Sequence, residues 1–142
     1  MRFSLTCILG FLLFSVPASA QTAIEATAGY AGFVDDAELG APSLLPGWSR
    51  AHVVTHLARN ADALVNLLTW AKTGVEHPMY PSMADRDADI AEGAGRLPQL
   101  LRADLDAACQ RFATAARELP ATAWEAEVVH PTSGPFLAHR VP

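Results

Sequence analysis

Two long segments carry apolar residues at helical spacing. Between Ser49 and Gly74, the residues Val53, Leu57, Ala61, Leu64, Leu68 and Ala71 recur at three- and four-residue steps. That pattern predicts one amphipathic helix with a continuous core stripe. Ser49 is a good N-cap, Lys72 suits the last turn, Gly74 is placed to stop the helix, and Pro78 follows. The second segment opens near Pro98, a residue allowed at the first helical position, and Pro120 closes it. Its apolar residues Leu101, Leu105, Ala108, Phe112, Ala115 and Leu119 form a narrow bundle-type seam.

The intervening pieces are weaker. The stretch "SMADRDADIAEG" predicts a short polar surface helix that starts at Ser82 with Asp85 in a capping-box-like position and ends at Gly93. Residues 21–33 are Ala-rich and suit a short first helix, weakened by two glycines. The tail has one strand-like patch at Glu127–Val129, and Pro131, Pro135 and Pro142 forbid a long helix there. The expected fold class is all-α, with one face of the two long helices lacking a partner.

Composition narrows the picture. The chain has 142 residues, 51% of them hydrophobic, enough for one domain with one core. The net charge of −5, with acids spread along the chain, argues against nucleic-acid binding, which needs clustered Lys and Arg. Residues 1–20 read differently: Arg2, an apolar run from Phe3 to Val16, then Ala18-Ser19-Ala20. This is the form of a signal peptide, too short for a membrane span, and it implies export. The alternative is a misassigned start, with the apolar run opening a first helix and the protein cytoplasmic. The expected division is therefore a signal peptide over 1–20 and one domain over 21–142, with no membrane span in the mature chain. Cleavage would remove Cys7 and leave Cys109 without a disulfide partner.

Candidate chemistry centres on His52 and His56, four apart near the start of the first long helix. At about 100° per residue, His56 lies roughly 100° from the centre of the stripe and His52 roughly 140°. His56 is the more inward and the better metal ligand, while His52 suits a supporting or surface role. A half-buried histidine bonded to the backbone would give the same spacing. His77, His130 and His139 all fall in Pro-containing loops and form no second helical pair. Cys109 falls beside a core seam, with nothing near it in sequence to lower its pKa. Asp85, Asp87 and Asp89 alternate as in calcium loops but lack the Gly and terminal Glu. Trp48 and Trp70 are expected as core anchors at the two ends of the helix.

The string "LLPGWSRAHVVTHLARNADALVNLLTWAKTGVEHPMYPS", continued by "ADRDADIAEGAGR" and later "WEAEVV", resembles the N-terminal metal-binding domain of mycothiol-dependent maleylpyruvate isomerases. The resemblance implies a DinB-like four-helix bundle that holds one divalent metal, usually zinc. It also implies two small-molecule partners: the thiol mycothiol, and an electrophile that the thiolate attacks before rotation and release of the trans isomer. His56 matches the second histidine of the family's His-x-x-x-His string and so one of three metal ligands. The other two belong to a Glu-x-x-x-His on a fourth helix, which this sequence does not contain. By that comparison the chain is an incomplete bundle and a catalytically incomplete isomerase or transferase domain. Two other readings stay open. One is a non-catalytic helical module, secreted or degenerate, that offers Leu101, Leu105 and Phe112 to a partner helix. The other is a homodimer whose two chains share a metal through His52 and His56.

Overall fold

The computed structural model describes residues 35–141. The proposed signal segment, the short helix within residues 21–33 and Pro142 lie outside the described residues. Three α-helices and one hairpin follow in order: α1 over Arg50–Thr73, α2 over Met83–Ala94, α3 over Pro98–Arg117, β1 over Glu127–His130 and β2 over Gly134–Leu137. Short 3₁₀ turns precede α1 at Asp36–Glu38, lead into β1 at Ala121–Glu125 and follow β2 at Ala138–Arg140.

The helix ends follow the local chemistry. Ser49 Oγ accepts the His52 backbone N–H at 3.4 Å, and the His52 ring returns the contact, so the cap is reciprocal. Gly74 closes α1 in the left-handed region, at φ 70°, a conformation a side chain would strain. Ser82 caps α2 by accepting the Asp85 N–H at 3.0 Å. Gly93 does not end α2. The helix runs on to Ala94, and Gly95 caps it. Gly93 is instead buried against Thr55 of α1. With Ile90 also buried, α2 is a packed helix with a polar outer face rather than a surface strip.

The core lies mainly between α1 and α3. Leu101, Leu105, Ala108 and Phe112 of α3 are all buried, so the seam faces the interior. Toward the end of α3 Ala116 is buried and Ala115 only half-buried. Two ionic staples flank the α1–α3 interface. Arg59 Nη2 donates to both Asp104 oxygens at 2.7 and 2.8 Å, and Arg111 Nε donates to Asp62 at 2.8 Å. Side chains this exposed make such pairs worth little alone, so burial carries the stability.

The α1 stripe departs from expectation. Ala61, Leu68 and Ala71 of the stripe are buried as expected, but Val53, Leu57 and Leu64 are only half-buried, while Ala51, Val54, Ala58 and Leu67, outside the stripe, are buried. Both α2 and α3 press on α1, and the face they cover is rotated from the one the periodicity marks. Leu57, Ala61 and Leu64 line a groove of about 530 Å³ between α1, α3 and the hairpin. Among the described residues, this groove is the face left open. The Leu101–Leu105 seam offered above to a partner helix is covered by α1.

The tail forms an antiparallel hairpin, of which the sequence marks only the first strand. Register runs from Glu127↔Leu137 to His130↔Gly134. Gly134, at φ 80°, opens β2 directly after the three-residue turn 131–133, in a left-handed conformation that glycine adopts without strain. Pro135 is tolerated because a two-stranded sheet has only edge strands. Val128, fully buried, docks the hairpin on the core, and the Ala138 N–H donates to Ala126 O at 2.9 Å.

Candidate functional site

The site is built on the first turns of α1. The Ser49 cap starts the helix and fixes where His52 and His56 emerge. His52 is spent on that cap: its Nδ1 lies 2.8 Å from Ser49 Oγ and accepts the Ser49 N–H at 3.3 Å. Its ring stacks on Trp48 at 6.1 Å. Trp48 also meets His56 edge-on, with ring centroids 5.6 Å apart. Trp48 is therefore a half-buried lid over both histidines rather than a core anchor. Trp70 is likewise half-buried, and the buried tryptophan is Trp124 in the turn before β1.

His56 is half-buried, as the helical wheel predicts. Burial, and then the positive charge of Arg86, push its pKa below the ordinary imidazole value, so the neutral ring prevails at neutral pH. The Arg86 Nη2 lies 3.3 Å from His56 Nδ1. The Arg86 guanidinium also sits 5.9 Å above the Tyr80 ring and pairs with Asp87 at 2.5 Å. The Tyr80 hydroxyl donates to Asn60 Oδ1 at 3.3 Å, and burial raises its pKa. Asn60 stands one helical turn beyond His56 on the same flank. The structure thus joins His56, Arg86, Tyr80 and Asn60 into one polar chain from α1 across to α2.

Sequence reasoning singles out neither Arg86 nor Tyr80. The signal for Arg86 is a lone base in the acidic stretch "ADRDAD", which reads as charge balance until α2 is laid against α1. His77, His130 and His139 do not join the site. His130 is committed to its own turn, where Nδ1 accepts the Thr132 and Ser133 N–H groups at 3.2 and 3.3 Å. Asp85 accepts the Ser82 hydroxyl at 2.7 Å, and Asp87 pairs with Arg86.

A metal needs about three protein ligands with free lone pairs. Among the described residues no group of three His, Cys, Asp or Glu is placed to hold one. Both candidate imidazoles also have Nδ1 already engaged, His52 with Ser49 and His56 with Arg86. The described residues by themselves do not fit a metal site.

Cys109 is buried and unpaired, and it lines the groove. Burial, then the nearby Asp106 and Asp62 carboxylates, push its thiol up to about 11, far from a nucleophile at neutral pH. Accordingly, in a Cys7→Ser background the native protein at about pH 8 is expected to react with a thiol reagent at least tenfold more slowly than the denatured chain. Equal rates, read by absorbance, would show an accessible thiolate instead.

The architecture is that of a helical domain with one inward imidazole near the start of its longest helix. The chain belongs to the mycothiol maleylpyruvate isomerase N-terminal domain family, whose sequence profile matches residues 20–141. Two solved structures resemble it at 38% identity and a TM-score of 0.80: the mycothiol-dependent maleylpyruvate isomerase and a histidine-to-alanine mutant of that enzyme. The match covers 84% of this chain and 50% of each of theirs, so the chain spans about half the length of the solved relatives it matches. No curated protein matches it. The fold is DinB-like and mostly helical. Among the described residues no helix is long and apolar enough to cross a membrane.

Proposed function

We propose that the chain is the N-terminal portion of a thiol-dependent cis–trans isomerase or transferase that takes mycothiol and a small electrophilic acid. In this reading His56 is one ligand of a divalent metal, zinc, and the remaining ligands come from outside the described residues. The observation that carries it is the inward, half-buried His56 under Trp48, in a chain of this family. His52 is a supporting residue that holds the helix start and does not ligate. The thiol reading places the working protein in the cytoplasm, and demonstrated export would count against it. The second reading, a helical interaction module, is favoured by the groove of about 530 Å³ that the described residues leave open.

The first test is metal content. Purified chain is expected to bind zinc no more tightly than about micromolar, because one imidazole cannot supply a closed site. Calorimetric titration against a competing chelator measures it, and stoichiometric nanomolar binding would favour the shared-metal dimer. The second test uses a chimera: residues 21–142 with a complete family first helix and a family fourth helix carrying Glu-x-x-x-His. There His56→Ala should abolish stoichiometric zinc, and His52→Ala should leave it in place. Elemental analysis showing equal zinc in both variants would reject His56 as a ligand.

A further inference from the structure

We infer that the groove between α1, α3 and the hairpin binds a small amphipathic carboxylic acid, with the apolar tail on the groove floor and the carboxylate at Arg140. The groove is separate from the imidazole site, for none of His52, His56 and Arg86 lines it. Its volume of about 530 Å³ falls within the roughly 300–1,000 Å³ of small-molecule pockets. It is also built as they are, from apolar side chains with a few polar groups.

The floor is apolar and firm. Leu64 of α1, Met79 of the α1–α2 loop, Phe112 of α3 and Phe136 of β2 all line it. Met79 and Phe112 are 5% and 4% exposed, so the core holds the floor in place. A hydrocarbon tail laid on it would remove apolar surface from water on both sides.

The polar groups of the lining have mainly donors left to offer. The Tyr80 hydroxyl donates to Asn60 Oδ1, which leaves the Asn60 amide N–H groups. His130 Nδ1 accepts the Thr132 and Ser133 backbone N–H groups, so its ring proton sits on Nε2. Arg140 has five N–H donors and no acceptor, and the Ser133 hydroxyl can donate as well. No Asp or Glu stands among the described lining residues. Such a lining suits an anion and opposes a cation.

Arg140 supplies the charge. Arg50, Arg59, Arg86, Arg96, Arg102 and Arg111 each pair with a carboxylate of the chain. Arg140 has no such partner among the described residues, although the chain carries a net charge of −5. It is exposed and lines the groove, so it stands at the mouth. The guanidinium fork matches a carboxylate, and one fork matches one acid group.

The test uses the full chain, with octanoate as the probe and the Met79 and Leu64 methyl resonances as reporters. Octanoate should shift both to saturation. Met83, 41% exposed and outside the groove, should not move. Hexanoate should bind about tenfold more weakly, because each buried methylene changes affinity about fourfold. Octylammonium carries the same tail on a cation and should also bind at least tenfold more weakly. Arg140→Met keeps the stem, drops the charge and should weaken octanoate about threefold, the scale of one exposed ion pair. Arg117→Met, on α3 but outside the groove, should bind like the parent. Equal shifts at Met83, octylammonium binding as tight as octanoate, or unchanged octanoate affinity in Arg140→Met would overturn the site. So would groove resonances that move with protein concentration and not with octanoate, which would make the groove a contact between copies of the chain.

Discussion

Leu105→Ala is expected to lower stability by about 2–5 kcal/mol, the range for a fully buried leucine whose cavity cannot collapse. Leu105 is 0% exposed at the centre of the α3 seam, facing α1. A small domain has roughly 5–15 kcal/mol in total, so this loss takes a large share of the margin. Leu100, its neighbour on the outer face and 55% exposed, provides the control. Leu100→Ala should stay within about 0.5 kcal/mol of the parent. Urea unfolding of both variants measures the contrast. A loss under 1 kcal/mol for Leu105→Ala would mean that the α1–α3 interface is not the principal core.

Gly93→Ala should also destabilise, against the ordinary preference for alanine inside a helix. That preference alone would add about 1 kcal/mol. Here the new Cβ would overlap Thr55 Cγ2 and stand 3.3 Å from the Thr55 hydroxyl. Thr55 has little room to turn, because it is buried and its Oγ1 donates to Ala51 O at 2.9 Å. Overpacking of this kind costs about 1–3 kcal/mol, enough to outweigh the propensity gain. The partner substitution reverses the sign. Thr55→Ser keeps the hydroxyl bond and removes the methyl, so in that background Gly93→Ala should become neutral or stabilising. A double-mutant cycle isolates this coupling. If Gly93→Ala stabilises the parent, α2 does not sit this close to α1. The contact also helps to set the spacing of α1 and α2, across which Arg86 reaches His56.

The local devices of this protein are written in its sequence. Ser49, Gly74, Ser82 and Pro98 act on backbone groups within a few residues of themselves, so position alone reveals both ends of α1 and the starts of α2 and α3. The α3 seam is legible for a related reason: one partner helix covers one narrow stripe. The string around His52 and His56 is legible too, and through it the family. Of the two histidines, the wheel marks His56 as the inward one; in the structure both are half-buried, and burial lowers the pKa of His56.

What tertiary structure decided is which faces meet. The α1 periodicity points along Leu57 and Leu64, but α2 and α3 together cover a rotated arc through Ala51, Val54 and Ala58. Alanine and glycine carry little hydrophobic signal, yet their small size lets helices approach, as Gly93 does at Thr55. The hairpin was half hidden because Pro135 reads as a breaker, and only pairing with Val129 makes it a strand. Arg86 was hidden because its partner lies thirty residues away on another helix. Spacing along one helix can rank two imidazoles by depth. Which side chain meets His56 from another helix, here Arg86 of α2 at 3.3 Å, is settled only when the helices pack.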